Sequence, residues 1–445
     1  MNEIKDIPKH WQIKKLGEVA KVKGGKRLPK GNPYADGITR FPYIRVTDFE
    51  NQTICTGKLK YLNAGTQQAI KNYIISKDDV YISIAGTIGL TGTVPSNLDG
   101  ANLTENAAKI TELKETYNKY ISFFLSSVDG QSQIKANTKT TTQPKLSLYR
   151  IEEIKIPLPP LPEQQAIVAK IEELFSSLDK GIESLKTAQQ QLKVYRQSVL
   201  KWAFDGKLTN KNVKAGELPK GWKRVMLKEV AKEITDGDHQ PPPKSSSGIP
   251  FITISNVDKV ANRINFLDTF KVSVEYYNGL KGHRKPQLGD VLYTVTGSFG
   301  IPILIDFEKE FCFQRHIGLI RPLEIINQKY LYYVLQTNGV FHQASETATG
   351  TAQKTVSLNS LRNFTIPFCN SLKEQQAIVS EIEDRLSVCD KIEESIVQSL
   401  QQSEVLRQSI LKQAFEGKLV PQDSSDNPAS VSPEREKNKI GAKKS

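Results

Sequence analysis

The chain contains itself twice, and the spacing of the copies limits what it can fold into. Residues 163–208 and 374–419 align without a gap, 211 residues apart, with 26 of 46 positions identical. The same offset pairs Pro8-Lys9-His10-Trp11 with Pro219-Lys220-Gly221-Trp222, and Glu18-Val19-Ala20-Lys21 with Glu229-Val230-Ala231-Lys232. Agreement on that scale marks an internal repeat. Between these anchors the two halves differ strongly. One frame kept twice with different contents reads as one scaffold presenting two different reading heads.

A chain of 445 residues exceeds a single core, so two to four domains are expected. The net charge is +13, and its location matters more than its size. Residues 1–162 carry an excess of eight positive charges and residues 209–373 an excess of seven, whereas the repeats carry +1 and −4. Two basic segments joined by near-neutral connectors suit two contacts with a polyanion. Cys55, Cys312, Cys369 and Cys389 are scattered with no C-x-x-C, which excludes a zinc ribbon and a disulfide framework. The N-terminus lacks the apolar stretch of a signal peptide, and no run approaches 18 apolar residues. A cytoplasmic protein without a membrane span is expected.

Both repeats read as long helices. In the first, apolar residues recur at Ile167, Ile171, Leu174, Leu178, Ile182, Leu185, Leu192, Val199 and Ala203, mostly three or four apart. The second seam is Ile378, Ile382, Leu386, Cys389, Ile396, Leu406 and Ile410, with Ser371 and Glu374 spaced as a capping box. Gly206 and Gly417 stand where a left-handed residue ends a helix. Helices of about 40 residues would span roughly 60 Å and are unstable alone, so packing of the two copies against each other is expected.

The segments between read as α/β. Phe41–Thr47 and Ile249–Ser255 look like matching strands. So do Asp79–Gly86 and Asp290–Gly297, each running into a glycine turn. The Ser-, Pro-, Lys- and Glu-rich tail is expected to be disordered.

Three features carry a resemblance to a known family. Each variable segment closes with a Thr/Gln loop, Thr140–Ser147 and Thr349–Ser357. Ile156-Pro157 with its proline-rich run, or Ile366-Pro367, leads into Glu-Gln-Gln. A long helix then ends in Gly-Lys-Leu. From residue 1 to about 420 this order resembles the specificity (S) subunit of type I restriction–modification systems. The second half departs from it, with Phe368-Cys369-Asn370-Ser371 in place of the prolines. The resemblance implies an α+β chain of two globular α/β target recognition domains separated by two long antiparallel helices, a coiled-coil spacer with pseudo-two-fold symmetry. The bounds would be 1–160 for recognition domain 1, 161–208 for spacer helix 1, 209–371 for recognition domain 2, 372–420 for spacer helix 2 and 421–445 for the tail. It further implies a non-catalytic subunit that reads an asymmetric bipartite target in double-stranded DNA. Two modification (methyltransferase) subunits and two restriction (ATPase/nuclease) subunits would dock on it. No cofactor is expected in this chain; S-adenosylmethionine, ATP and Mg would belong to the partners.

Candidate DNA contacts follow from residue chemistry. The loop Lys21–Lys30 packs Lys23, Lys26, Arg27 and Lys30 beside flexible glycines. Its lysines suit phosphates, and Arg27 can be bidentate to guanine, or the stretch is simply a solvated basic loop. The equivalent stretch Asp236–Lys244 offers His239 and Lys244 but lacks the charge cluster. Arg45, replaced by Thr253 in the second copy, is either an internal ion pair or a groove contact. Thr140, Thr142, Gln143 and Lys145, with Thr349, Thr351, Gln353 and Lys354, supply donors and acceptors for base edges, or cap their own loops. Arg284, Lys285 and Arg315 are further candidates in the second domain. Tyr195, Trp202 and Phe204 exceed what a two-helix seam needs. They face a modification subunit or cap the junction with the next domain.

Two rival functions fit the sequence less well. A self-contained methyltransferase or nuclease needs motifs the chain lacks: Asn32-Pro33-Tyr34 has no second proline, and no G-x-x-x-x-G-K-[ST] occurs. A coiled-coil adaptor without DNA binding leaves the basic variable domains unexplained.

Overall fold

The computed structural model describes residues 7–138, 144–210, 212–214, 216–240, 242–351 and 353–421. Two compact units emerge: residues 1–184 with 398–445, and residues 185–397. The expected tail lies outside the described residues.

In unit 1, β1 (Gln12–Lys15) opens the domain, followed by β2 (Lys21–Gly24), β3 (Pro42–Ile44), β4 (Val80–Ser83), β5 (Thr91–Thr93), β6 (Ala101–Leu103) and β7 (Ala107–Thr111). Helices α1 (Asn118–Ser126) and α2 (Val128–Asn137) follow, then β8 (Lys155–Leu158) leads into α3 (Leu161–Phe204). An antiparallel sheet runs β2-β7-β4-β5. A second sheet holds β3 parallel to β6. The first strand, β1, returns against β8, Gln12 opposite Leu158.

Unit 2 repeats this order although its sequence differs. Strands β9 (Trp222–Met226), β10 (Ala231–Asp236), β11 (Ile249–Ile252), β12 (Val291–Thr294), β13 (Pro302–Leu304), β14 (Cys312–Phe313) and β15 (Ile317–Pro322) precede α4 (Gln328–Leu335) and α5 (Asn338–Thr347). Then β16 (Thr365–Cys369) leads into α6 (Leu372–Phe415). The antiparallel sheet runs β10-β15-β12-β13, β11 lies parallel to β14, and β9 pairs with β16. Both expected strand pairs are therefore present but shorter than expected, and Val46–Asp48 and Ile254–Asn256 turn as 3-10 helix instead of continuing the first pair. Gly86 and Gly297 turn with φ of +75° and +74°, a conformation that costs glycine nothing.

Each unit also contains the first half of one long helix and the last half of the other, and they pack antiparallel. In unit 1, Ile167, Ile171 and Phe175 of α3 share a core with Ile410, Leu411 and Phe415 of α6. In unit 2, Leu200 and Phe204 share one with Ile378 and Ile382. Arg407 reaches Asp179, and Arg196 reaches Asp390 at 2.7 Å, the same pair in the two copies. Both helices end as expected. Gly206 and Gly417 have φ of +77° and +69°, and Lys207 and Lys418 donate back to the Trp202 and Gln413 carbonyls. One seam position differs from expectation. Leu406 is half-exposed, as is its counterpart Tyr195, whereas the neighbouring Arg407 and Arg196, which make the cross-helix pairs, are the more buried.

Candidate nucleic-acid interface

Four segments far apart in sequence meet at one end of the antiparallel sheet in each unit. In unit 1, Gly25 donates to the Ala107 carbonyl at 3.0 Å and Lys26 to that of Leu103 at 2.8 Å. Ala85 donates to Asn106, and Leu146 to Ile84, which brings in the glycine turn and the end of the Thr/Gln loop. In unit 2, Asp238 donates to Phe313 and Arg315 to Asp238; Val295 donates to His316 and Gly297 to Lys354. The corner needs glycine at one point. A Cβ on Gly25 would lie 2.0 Å from the Thr104 oxygen, and one on Gly237 1.9 Å from the Phe313 oxygen.

In unit 1 this end carries Lys26, Arg27, Glu105, Asn106 and Lys145. Arg27 is exposed and donates its Nε to Glu105 at 2.7 Å. Lys26 lies over the Tyr73 ring at 5.5 Å, and Lys30 is exposed. Lys23 is ion-paired. With Lys21 it holds Glu112, whose carboxyl the two ammoniums draw down to about 2. Arg45 forms the internal ion pair that was one of its two expected roles. It grips the buried Asp48 through two bonds of 2.7 and 3.1 Å and donates to the Lys58 carbonyl. Thr253 and Asn256 close the same turn in unit 2 without charge. Thr140, Thr142 and Gln143 lie outside the described residues.

In unit 2 the corresponding end is a cleft of about 430 Å³, lined by Asp236, Thr296, Arg315, His316, Gln353 and Ser357 among others. Arg315 is exposed. Burial, then the Arg315 charge, pushes His316 below its ordinary value, so its ring is neutral at neutral pH. His239 is bound to Asp236 at 3.0 Å. Arg284 pairs with Asp238 at 3.4 Å, and Tyr276 donates to the same carboxylate. Thr349 and Thr355 exchange backbone bonds, so this loop caps itself while Thr349, Thr351, Gln353 and Lys354 stay exposed. Lys244 and Lys285 line no part of the cleft. They lie over Phe270 at 5.4 Å and Tyr277 at 4.7 Å, and Lys285 also donates to Asn278.

The helix aromatics divide. Tyr195 and Trp202 are 39% and 42% exposed, open to a partner. Phe204 is buried edge-on against Tyr330 at 5.0 Å. It cannot face a partner, because it fills the junction between helix and domain, as Phe415 does against Tyr120 at 5.2 Å.

Sequence reasoning missed Glu105 and Asn106. They occupy the place of Arg315 and His316, but the halves share no identity there, and only the backbone bonds to the glycine corner align them. Among the described residues there is no metal-ligating cluster and no helix long and apolar enough to cross a membrane.

Known proteins share this architecture. The family described as "Type I restriction modification DNA specificity domain" matches residues 8–193 and 219–402. The specificity subunit of the type I restriction enzyme EcoBI of Escherichia coli is 27% identical, over 98% of this chain and 91% of its own length. That of the MjaVIII enzyme of Methanocaldococcus jannaschii is 26% identical over 93% and 94%. Among solved structures, a chain from a study of complex assembly in the type I R-M system has a TM-score of 0.71 at 21% identity, covering 93% and 99%. The HsdS subunit of Thermoanaerobacter tengcongensis has a TM-score of 0.58 at 23% identity, covering 93% and 98%. At those identities the two structures show the fold.

Proposed function

This chain belongs to the type I restriction–modification DNA specificity family, and from that premise we propose how it divides its labour. It is the specificity subunit: each unit reads one half of a bipartite duplex target. The observation that carries this reading is the pair of sheet ends. One backbone corner, built on Gly25 or Gly237, presents Lys26, Arg27 and Glu105 in unit 1 but Asp238, Arg315 and His316 in unit 2. The same pose with different side chains makes the two half-sites different, hence an asymmetric target.

The chain itself does no chemistry in this scheme. Two modification subunits bring S-adenosylmethionine and methylate adenine; two restriction subunits bring ATP- and Mg-dependent cleavage, all on cytoplasmic DNA. The modification subunits dock on the helices. In unit 2, Val194, Tyr195, Trp202, Val388 and Ile392 are exposed apolar side chains on the helix pair, which supports docking there.

Long-read methylation mapping of a host carrying the chain and its modification partner tests the reading. A split target with two unlike halves is expected. Salt-insensitive DNA binding, or methylation without a split target, would reject it.

A further inference from the structure

We propose that Arg27 and Glu105 form a buttressed guanine reader in unit 1, with Arg27 touching the base and Glu105 as its positioning residue. The inference deepens the reading above and rests on it.

The geometry divides the arginine into a held edge and an offered edge. Arg27 Nε donates to Glu105 Oε1 at 2.7 Å, and among the described residues no hydrogen bond is made by Nη1 or Nη2. The side chain is 78% exposed. A guanine presents O6 and N7 side by side in the major groove, and a guanidinium meets both with two parallel donors. An arginine tied at Nε still has both terminal amines for that contact.

The carboxylate is itself fixed. Glu105 Oε2 accepts from Thr104 Oγ1 at 2.9 Å, and its side chain is only 29% exposed. Burial alone would raise its carboxyl, but the Arg27 bond, then its own backbone amide and the Thr104 bond, outweigh this and leave it lowered, hence ionised at neutral pH. The backbone beside both residues is also tied. Lys26 donates to Leu103, its carbonyl accepts from Tyr43 Oη at 2.9 Å, and Gly25 lets the two segments touch. A long side chain that would otherwise sample many rotamers is thereby aimed before DNA arrives, which lowers the ordering cost of binding. A carboxylate on a surface meant for a polyanion is otherwise unfavourable; here its charge is met by the arginine it aims.

The test uses the chain in complex with its modification partner, read by methylation mapping and by competition with duplexes altered at single positions. Arg27→Lys keeps the charge but loses the fork. It should relax one guanine position in one half-site, with discrimination falling roughly 10- to 100-fold. The other half-site, read by unit 2, should be unchanged and reports intact folding. Glu105→Ala should relax the same position, Glu105→Gln should largely restore it because the amide oxygen still accepts from Nε, and Glu105→Ala should add nothing in an Arg27→Ala background. A split target that Arg27→Lys leaves intact overturns the pair alone. An effect of Glu105→Ala that persists at full size without Arg27 overturns the positioning role. A wild-type complex with no split target overturns the reading beneath both.

Discussion

Trp11 donates its indole Nε1 to Glu163 at 3.0 Å, across 152 residues of sequence, and Trp222 makes the same bond to Glu374 at 3.1 Å. These are the two anchors that the duplication preserves outside and at the head of the helices. The bond docks the first turn of each recognition domain on the helix that follows it. Glu163 is buried and also binds His10 at 2.9 Å. Its neighbour Gln164 accepts from the Tyr117 amide and donates to the Glu115 and Pro159 carbonyls, as Gln375 does for Asn327, Ile325 and Cys369.

Glu163→Ala should therefore destabilise unit 1 by about 1–3 kcal/mol, because it strands the buried Trp11 donor. Glu163→Gln keeps an acceptor and should cost less. Denaturant unfolding followed by Trp fluorescence checks the order; equal losses for the two variants would show that the bond to the indole is not what matters.

Acid should weaken unit 2 through Glu374. Burial opposes its charge, but bonds from Cys369, Asn210 and Trp222 outweigh burial and leave its carboxyl lowered from about 4.5. A carboxylate lowered by folding stabilises the fold above its unfolded value, and that contribution fades as pH falls through the folded value. Stability should thus drop below about pH 4.5, and Glu374→Gln should flatten that part of the profile. An unchanged acid limb in the variant would assign the loss to other groups. Burial and then the Glu374 bond push the Cys369 thiol up to about 11, so it donates to this carboxylate throughout.

How much of this was legible in the sequence depends on whether a residue's partner is local. The helices, their glycine ends and both strand pairs follow from periodicity and turn chemistry within a few residues. The role of Glu163 does not, since nothing in Glu-Gln-Gln names a tryptophan 152 positions away. The charges of Arg45 and Lys23 are visible in sequence, while the carboxylates that pair with them, Asp48 and Glu112, are recognised only by where the chain brings them. Phe204 was read correctly as apolar but its direction was open, and Tyr330 settles it.

Pairing also ranks the basic residues. Lys23 is engaged by Glu112, whereas Lys26 has no carboxylate partner among the described residues. Lys26→Gln should lower the slope of log affinity against log salt by nearly one, as expected for one lost phosphate contact. Lys23→Gln should change it less. The reverse ranking in a salt titration of duplex binding would place the DNA nearer the Glu112 end of the sheet.

The cross-helix pairs are weak and should behave so. Asp179 and Asp390 have side chains 61% and 70% exposed, and pairs of that kind contribute at most about 1 kcal/mol. Arg196→Ala should cost little and less still at high salt. Arg407→Ala should cost more, because its guanidinium also covers the Phe175 ring at 4.4 Å. Identical, salt-sensitive losses for both would deny the ring a part.

Helix length offers the sharpest test of the division of labour. Four residues inserted at matching points of α3 and α6, between the two units, add about one turn, roughly 6 Å, which is close to two base pairs at about 3.4 Å each. The inserted turn leaves every side chain at the sheet ends in its own unit, so both half-sites should be conserved while the unspecified gap grows. Methylation mapping reads both quantities at once. A gap that stays fixed would mean that the helices do not set the spacing. A changed half-site would mean that base reading is not confined to the Gly25 and Gly237 corners.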